Sequence, residues 1–351
     1  MVDINFYRNK RVLVTGHTGF KGAWLCYILS YLGANVTGYA LKPPTDPNLF
    51  TICNLDKKIS SIIGDIRDHD KLQEVFYHFN PEIVIHMAAQ PIVRESYKNP
   101  HYTYEVNLMG TVNTLDCVRN TNNVKSFLNV TTDKVYYNYE WERGYIEADT
   151  LGGFDPYSSS KSCSELVTQS YINSFFNDSN IAVSTARSGN VIAGGDFAAH
   201  RIIPDCVKAA INSEIIMLRN PNSTRPYQHV LETLFAYLMI AQKQYEDKKY
   251  ASCYNIGPDD CDCISTGELT DLFCKAWGDS LRWESKHEDN LHEAGLLKLD
   301  CSKLKAVFGW KPKWHIDKTV DMIVEWTKAY YSNESVSDVM DKQIDDFLYG
   351  M

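Results

Sequence analysis

The chain has 351 residues, 44% of them apolar and 23% charged. That is room for a full doubly wound α/β domain with a smaller lobe, in an ordinary globular composition. A net charge of −9 argues against a broad nucleic-acid surface. No apolar run approaches the ~18 residues of a membrane span, so no membrane association is expected.

The start, "MVDINFYRNKRVLVTG", runs straight into a strand without a signal-peptide core. The ten cysteines are scattered, and Cys261 and Cys263 form a lone C-x-C with no second pair at metal-site spacing. These features predict a cytoplasmic protein with reduced thiols and no metal.

"RVLVTG" (11–16) reads as a strand that stops at a glycine. Trp24, Leu25, Ile28, Leu29 and Leu32 then recur at helical spacing. "NVTGYA" (35–40) is a second strand, followed by a helix over Lys71–Phe79 and a strand over "EIVIHMAA" (82–89). A helix over Tyr102–Val118 leads to the strand "SFLNVTT" (126–132). A long helix from Pro156 precedes the strand "IAVSTARSG" (181–189). Alternating strands and helices predict parallel βαβ units with right-handed crossovers. The expected fold class is α/β: a Rossmann-type doubly wound parallel sheet with a smaller mixed α/β C-terminal lobe.

After about residue 190 the pattern becomes irregular. Residues 1–188 with about 228–257 are expected to form the dinucleotide-binding domain, and about 189–227 with 258–351 the substrate lobe.

"TGHTGFKG" places Gly16, Gly19 and Gly22, with Thr18 and Phe20, between the first strand and the first helix. Glycines at that spacing let the backbone approach a pyrophosphate and aim the helix N-terminus at it. An ordinary tight turn is the plainer reading, and the strand–turn–helix setting outweighs it. "GDIRD" offers Asp65 and Ile66 to an adenine. "HMAAQ" ends a strand with the small residues Ala88 and Ala89, followed by Gln90, and lets a cofactor cross the sheet edge there. The second strand lacks the acidic residue expected on the ribose of NAD, and Lys42 lies nearby; that rule alone points to NADP.

In "DPYSSSK", Asp155 caps a helix whose first residue is Pro156. Tyr157 and Lys161 then share one face, and a cationic Lys161 is expected to lower the phenol's pKa from about 10. Thr132 ends the preceding strand. Next to it, "TTDKVYY" sets Asp133 beside Lys134 where a buried strand should stop. Most such dipeptides are solvated loop ion pairs.

Over almost its whole length the chain resembles the extended short-chain dehydrogenase/reductase superfamily. The shared features are the glycine loop, the Tyr-x-x-x-Lys pair and a C-terminal substrate lobe. The stretches "GHTGFKGAWL", "TTDKVYYNYEW", "LGGFDPYSSSK", "ARSGNVIAGGD", "RPYQHVLE" and "HEAGLLKLD" more narrowly resemble the CDP-glucose 4,6-dehydratase family. Dehydratases of the dTDP and GDP types resemble one another in an acidic pair after the threonine, where this chain has Asp133-Lys134. The missing acid after the second strand also resembles that family, which implies NAD rather than NADP. The resemblance implies that Thr132 and Tyr157 hold a sugar hydroxyl and that Lys161 also binds the nicotinamide ribose. It further implies cofactor contacts at Asn107 and Ser188. Tyr157 would be the base at O4, Asp133 the acid at the C6 hydroxyl and Lys134 the base at C5.

Arg201 and Arg225 suit a pyrophosphate through their planar guanidinium groups, and Lys298 is a third candidate. Asn190, Gln228 and His229 complete the expected substrate set. The expected partners are CDP-glucose and further copies of the chain, as a dimer or tetramer. A 4-epimerase would share the cradle and the Tyr-Lys pair but needs no acid or base beyond C4. A dinucleotide-sensing protein without chemistry should have lost part of the intact Thr-Tyr-Lys set.

Overall fold

The computed structural model describes residues 2–278, 281–285 and 295–350. Seven parallel strands form the central sheet: β1 (Arg11–Thr15), β2 (Asn35–Ala40), β3 (Ser60–Ile63), β4 (Ile83–His86), β5 (Ser126–Val130), β6 (Ala182–Ser188) and the strand Cys253–Ile256. From one edge the order is Cys253–Ile256, β6, β5, β4, β1, β2, β3. The chain therefore reverses direction between β1 and β4, where ligands bind in open α/β sheets.

At the centre of the sheet β1 and β4 carry apolar runs, because helices cover both faces. Val12, Leu13 and Val14 are all fully buried, as are Ile83, Val84 and Ile85. On one face the first helix, Phe20–Tyr31, and the helix Val230–Glu246 build the larger core. The last helix, Val336–Tyr349, adds Val336, Met340, Ile344 and Phe347 to it. A second core on the other face joins Leu72, Val75 and Phe76 to Leu115 and Val118.

Two expected features differ. β3 has no counterpart in the reading above: its residues are half-exposed or exposed at the sheet edge, so "SSII" carries no apolar alternation. The strand expected over 82–89 stops at His86, because Met87 and Ala88 turn away to donate their N–H groups to the Thr15 hydroxyl, both at 3.1 Å.

Beyond β6 three two-stranded ribbons follow: Val191–Ile192 with Gln228–His229, Thr224–Pro226 with Cys263–Ser265, and Ile216–Leu218 with Trp283–Ser285. They pack with the helices Ile202–Ile211, Thr266–Trp277 and Ile316–Tyr331 around a third core that includes Cys206, Leu218, Phe273 and Ile323.

Candidate active site

The glycine loop closes directly over the switch point. Gly16 has φ +81, and a Cβ there would stand 2.8 Å from the backbone nitrogen of Ala88. A Cβ at Gly22 would meet the Gly16 carbonyl oxygen at 2.1 Å. Side chains at either position would force the loop off the sheet. Gly19, at the helix N-cap, supplies no side-chain cap, so the first N–H groups of a 12-residue helix face the cleft mouth. Thr18 ties the loop to the end of β2 by donating to the Leu41 carbonyl at 2.8 Å. His17, absent from the sequence expectations, lies beneath the loop with Nε2 2.7 Å from the Ser61 hydroxyl, and burial pushes its pKa down to about 4.

The predicted residues after β4 are held from below. Asn107 is fully buried, accepts from the Gln90 N–H at 2.8 Å and donates to the Gln90 carbonyl at 3.1 Å and to the Ser160 hydroxyl at 2.9 Å. It is thus a brace between the β4 loop and the Tyr157 helix. Asp65 is engaged by Arg67, whose guanidinium also reaches Glu105. Ile66 is buried against Gly110, whose added Cβ would meet it at 2.7 Å. Ser188 shares a 2.7 Å hydrogen bond with the Tyr237 hydroxyl.

The helix Pro156–Tyr171 starts where Asp155 accepts from the Ser158 N–H at 3.0 Å and the Ser158 hydroxyl at 2.6 Å. It packs through hydroxyl groups rather than an apolar stripe. Asn129 on β5 donates to Ser164 and Thr168, each at 2.9 Å, and Ser162 donates to the Val135 carbonyl at 2.7 Å. Buried hydrogen bonds of this kind fix orientation. Ser162 also links the helix that carries Tyr157 directly to the turn Asp133–Val135.

Within this frame the structure brings Thr132, Asp133, Lys134 and Tyr157 to the wall of one cleft of about 370 Å³. The Thr132 hydroxyl lies 2.9 Å from Asp133 Oδ1, and Tyr157 lines the same cleft. Asp133 is 2% exposed, and burial pushes its carboxyl upward against the pull of Lys134, Thr132 and Arg225. Lys161 lies just behind, donating to the Val130 carbonyl at 3.1 Å.

The expected lowering of the Tyr157 phenol does not hold here. Burial outweighs the pull of Thr132 and the Arg201 charge, and raises the phenol to about 12. The same burial, with Lys21 adding like charge, pushes Lys161 down to about 7. A cation that is itself so destabilised exerts little pull on a neighbour.

Phe20, Asn190, Arg201 and Arg225 also line the cleft, whereas Gln228, His229 and Lys298 are not among the described residues that do. Gln228 is buried and donates to the Ile256 carbonyl at 3.2 Å. His229 is fully buried, its ring 4.9 Å from that of Trp314. Lys298 gives its carbonyl to the Tyr145 N–H, and its charge acts on Cys263. The first three residues of "HEAGLLKLD" lie outside the described residues.

Lys21, Arg94 and Arg219 are cleft cations that the motifs did not single out; only the fold brings them there. With Lys134, Arg201 and Arg225 they make six cationic side chains against three carboxylates, Asp133, Asp196 and Asp205. In a chain of net charge −9, this cleft is locally positive and suited to a polyanion.

The family model for GDP-mannose 4,6 dehydratase matches residues 13–323. A curated CDP-glucose 4,6-dehydratase from Salmonella typhimurium is 46% identical over 99% of both chains. Among solved structures, a UDP-glucose 4-epimerase from Thermotoga maritima with UDP-glucose superposes with TM-score 0.80 at 20% identity, covering 92% of this chain and 99% of the other. A dTDP-glucose 4,6-dehydratase from Bacillus anthracis in complex with NAD superposes with TM-score 0.75 at 21% identity, covering 94% and 99%. At these identities the structural likenesses speak for the fold.

Proposed function

We propose, from the premise that the chain belongs to the GDP-mannose 4,6 dehydratase family, that it is an NAD-dependent hydro-lyase that converts CDP-glucose to CDP-4-dehydro-6-deoxy-glucose. The observation that carries this reading is Asp133, a buried carboxyl hydrogen-bonded to Thr132 with Lys134 next in the chain. A 4-epimerase has no use for an acid and a base at that place.

The residues present fit NAD. Gly16, Thr18, Gly19, Phe20 and Gly22 would hold its pyrophosphate over the helix N-terminus, in a loop whose close approach to the sheet and to itself leaves no room for a Cβ at Gly16 or Gly22. Asp65 and Ile66 stand on the adenine side, Ala88, Ala89 and Gln90 along the sheet edge, and Ser188, Tyr157 and Lys161 at the nicotinamide end, with Asn107 bracing Gln90. When bound, NAD supplies a reversible hydride acceptor, which makes the reaction redox-neutral.

The chain's own residues handle the protons. Tyr157 takes the proton from the sugar's O4 as a phenolate, a state that the positive charge of bound NAD would favour against the burial that raises the phenol to about 12. The 4-ketone then acidifies the C5 hydrogen, which Lys134 removes. Asp133, whose carboxyl burial pushes upward, gives a proton to the departing C6 hydroxyl, so that water leaves. Arg201 and Arg225 would clamp the diphosphate, with Asn190 beside it.

The proposed division of labour assigns 1–188 with about 228–257 to the cofactor and about 189–227 with 258–351 to the substrate. The proposed setting is the cytoplasm, in sugar-nucleotide supply for a cell-surface polysaccharide such as an O-antigen. All ten cysteines are free thiols, and no helix of the described residues is long and apolar enough to cross a membrane. The proposed assembly is a homo-oligomer, a dimer or tetramer.

Incubation with a panel of nucleoside-diphosphate glucoses, followed by mass spectrometry, tests the reading. CDP-glucose should lose one water with no net change in cofactor oxidation state. A product of unchanged mass would overturn it.

A further inference from the structure

The substrate lobe holds a second cluster of chemistry-bearing side chains, on the far side of the ribbon that carries Arg225. Cys261 and Asp262 lie on the short turn Asp260–Asp262, which leads into the strand Cys263–Ser265. That strand pairs with Thr224–Pro226, Ile264 opposite Arg225. His315 comes from the N-terminus of the helix Ile316–Tyr331.

Cys261 Sγ, Asp262 Oδ2 and His315 Nδ1 converge. The sulfur lies 3.7 Å from the carboxylate oxygen and 3.8 Å from the ring nitrogen, and the nitrogen lies 2.9 Å from the oxygen. A tetrahedral zinc bound by one sulfur, one nitrogen and one oxygen sets its ligand atoms about 3.3–3.6 Å apart. Shifts of roughly 0.4 Å would turn this triangle into the face of such a site.

The carboxylate is already aimed. Asp262 is buried, and its other oxygen, Oδ1, accepts from the Ile316 N–H at 2.9 Å. Support of this kind orients a metal ligand. Cys261 is exposed and the His315 side chain is 63% exposed, so water has access to a fourth position.

We infer that Cys261, Asp262 and His315 form a binding site for a thiophilic divalent cation, with Zn²⁺ the best match to one sulfur, one imidazole nitrogen and one carboxylate. Binding would release the Cys261 thiol proton and the proton shared between His315 and Asp262. It would clip the Asp260–Asp262 turn to the helix Ile316–Tyr331. The site takes no part in the dehydration chemistry and stands or falls independently of it. The plainer arrangement is an Asp262–His315 ion pair that caps the helix, with Cys261 a bystander.

The test uses tag-free, full-length protein stripped by a chelator and titrated with Zn²⁺ against a chromophoric indicator. In parallel, Co²⁺ is used to look for a thiolate-to-metal charge-transfer band. Wild type should bind one equivalent and show the band. Cys261→Ser should lose the band and bind Zn²⁺ at least tenfold more weakly, and His315→Gln should weaken it similarly. Cys263→Ser should behave as wild type. Absence of the band in wild type, or identical titrations for wild type, Cys261→Ser and His315→Gln, would leave only the helix-capping ion pair. Cys261 is exposed and outside the core, so its serine variant tests the site without threatening the fold.

Discussion

The Thr132 hydroxyl sits 2.9 Å from one oxygen of Asp133, while the other oxygen, Oδ2, is buried without a partner. A bare carboxylate oxygen in that position is costly, and a protonated one less so. Asp133→Asn keeps the shape and removes the transferable proton. It should leave solvent deuterium exchange at C5 of CDP-glucose intact while water loss slows by about 10²–10⁴-fold. Dehydration at near wild-type rate, read by product mass, would remove Asp133 as the acid.

Lys134 carries the complementary expectation. Its backbone N–H approaches the Thr132 hydroxyl at 3.4 Å and its side chain lines the same cleft. Lys134→Met should abolish C5 deuterium exchange and dehydration together, leaving CDP-glucose binding within a few-fold of normal. Normal C5 exchange in that variant would place the base elsewhere. The two variants thus separate acid from base by which atom still exchanges.

Much of this was legible in the sequence, for local reasons. Pro156, Asp155 and the Tyr-x-x-x-Lys spacing define the start of the helix Pro156–Tyr171 without tertiary help, and the glycine loop announces itself by spacing. What the sequence hid depends on packing across long separations. Nothing local marks Asn107 as a brace for Gln90, or Lys21 and Arg219 as cleft cations. Burial also reversed an expectation: the desolvation that raises Tyr157 and lowers Lys161 exists only once both are folded against β5. β3 stayed hidden because an edge strand with exposed ends has no apolar face to display.

Arg201 and Arg225 meet the cleft from different elements. Arg201 caps the helix Ile202–Ile211 and pairs with Asp196 at 2.9 Å, and Arg225 lies on the strand Thr224–Pro226. Replacing either with Ala should weaken CDP binding by about 1.5–3 kcal/mol, the range for hydrogen bonds to charged groups. Calorimetric titration with CDP measures it, and unchanged affinity in both variants would dissolve the proposed clamp.

Lys161 offers a stability prediction with a definite sign. Burial and Lys21 push its pKa down to about 7, against about 10.4 in an unfolded chain. Between those pH values the unfolded chain holds a proton that the folded one lacks, so this residue's contribution to stability rises with pH. Below about pH 7 both states are charged, and the folded protein bears the full burial cost. Lys161→Met removes the charge while keeping most of the side-chain length beside Val130. The variant should be inactive yet more stable than wild type by about 1–3 kcal/mol near pH 6, with the gain shrinking toward pH 9. Urea unfolding at the two pH values reads the difference directly. A variant that is less stable at pH 6, or whose advantage does not change with pH, would show that Lys161 stays comfortably charged in the fold.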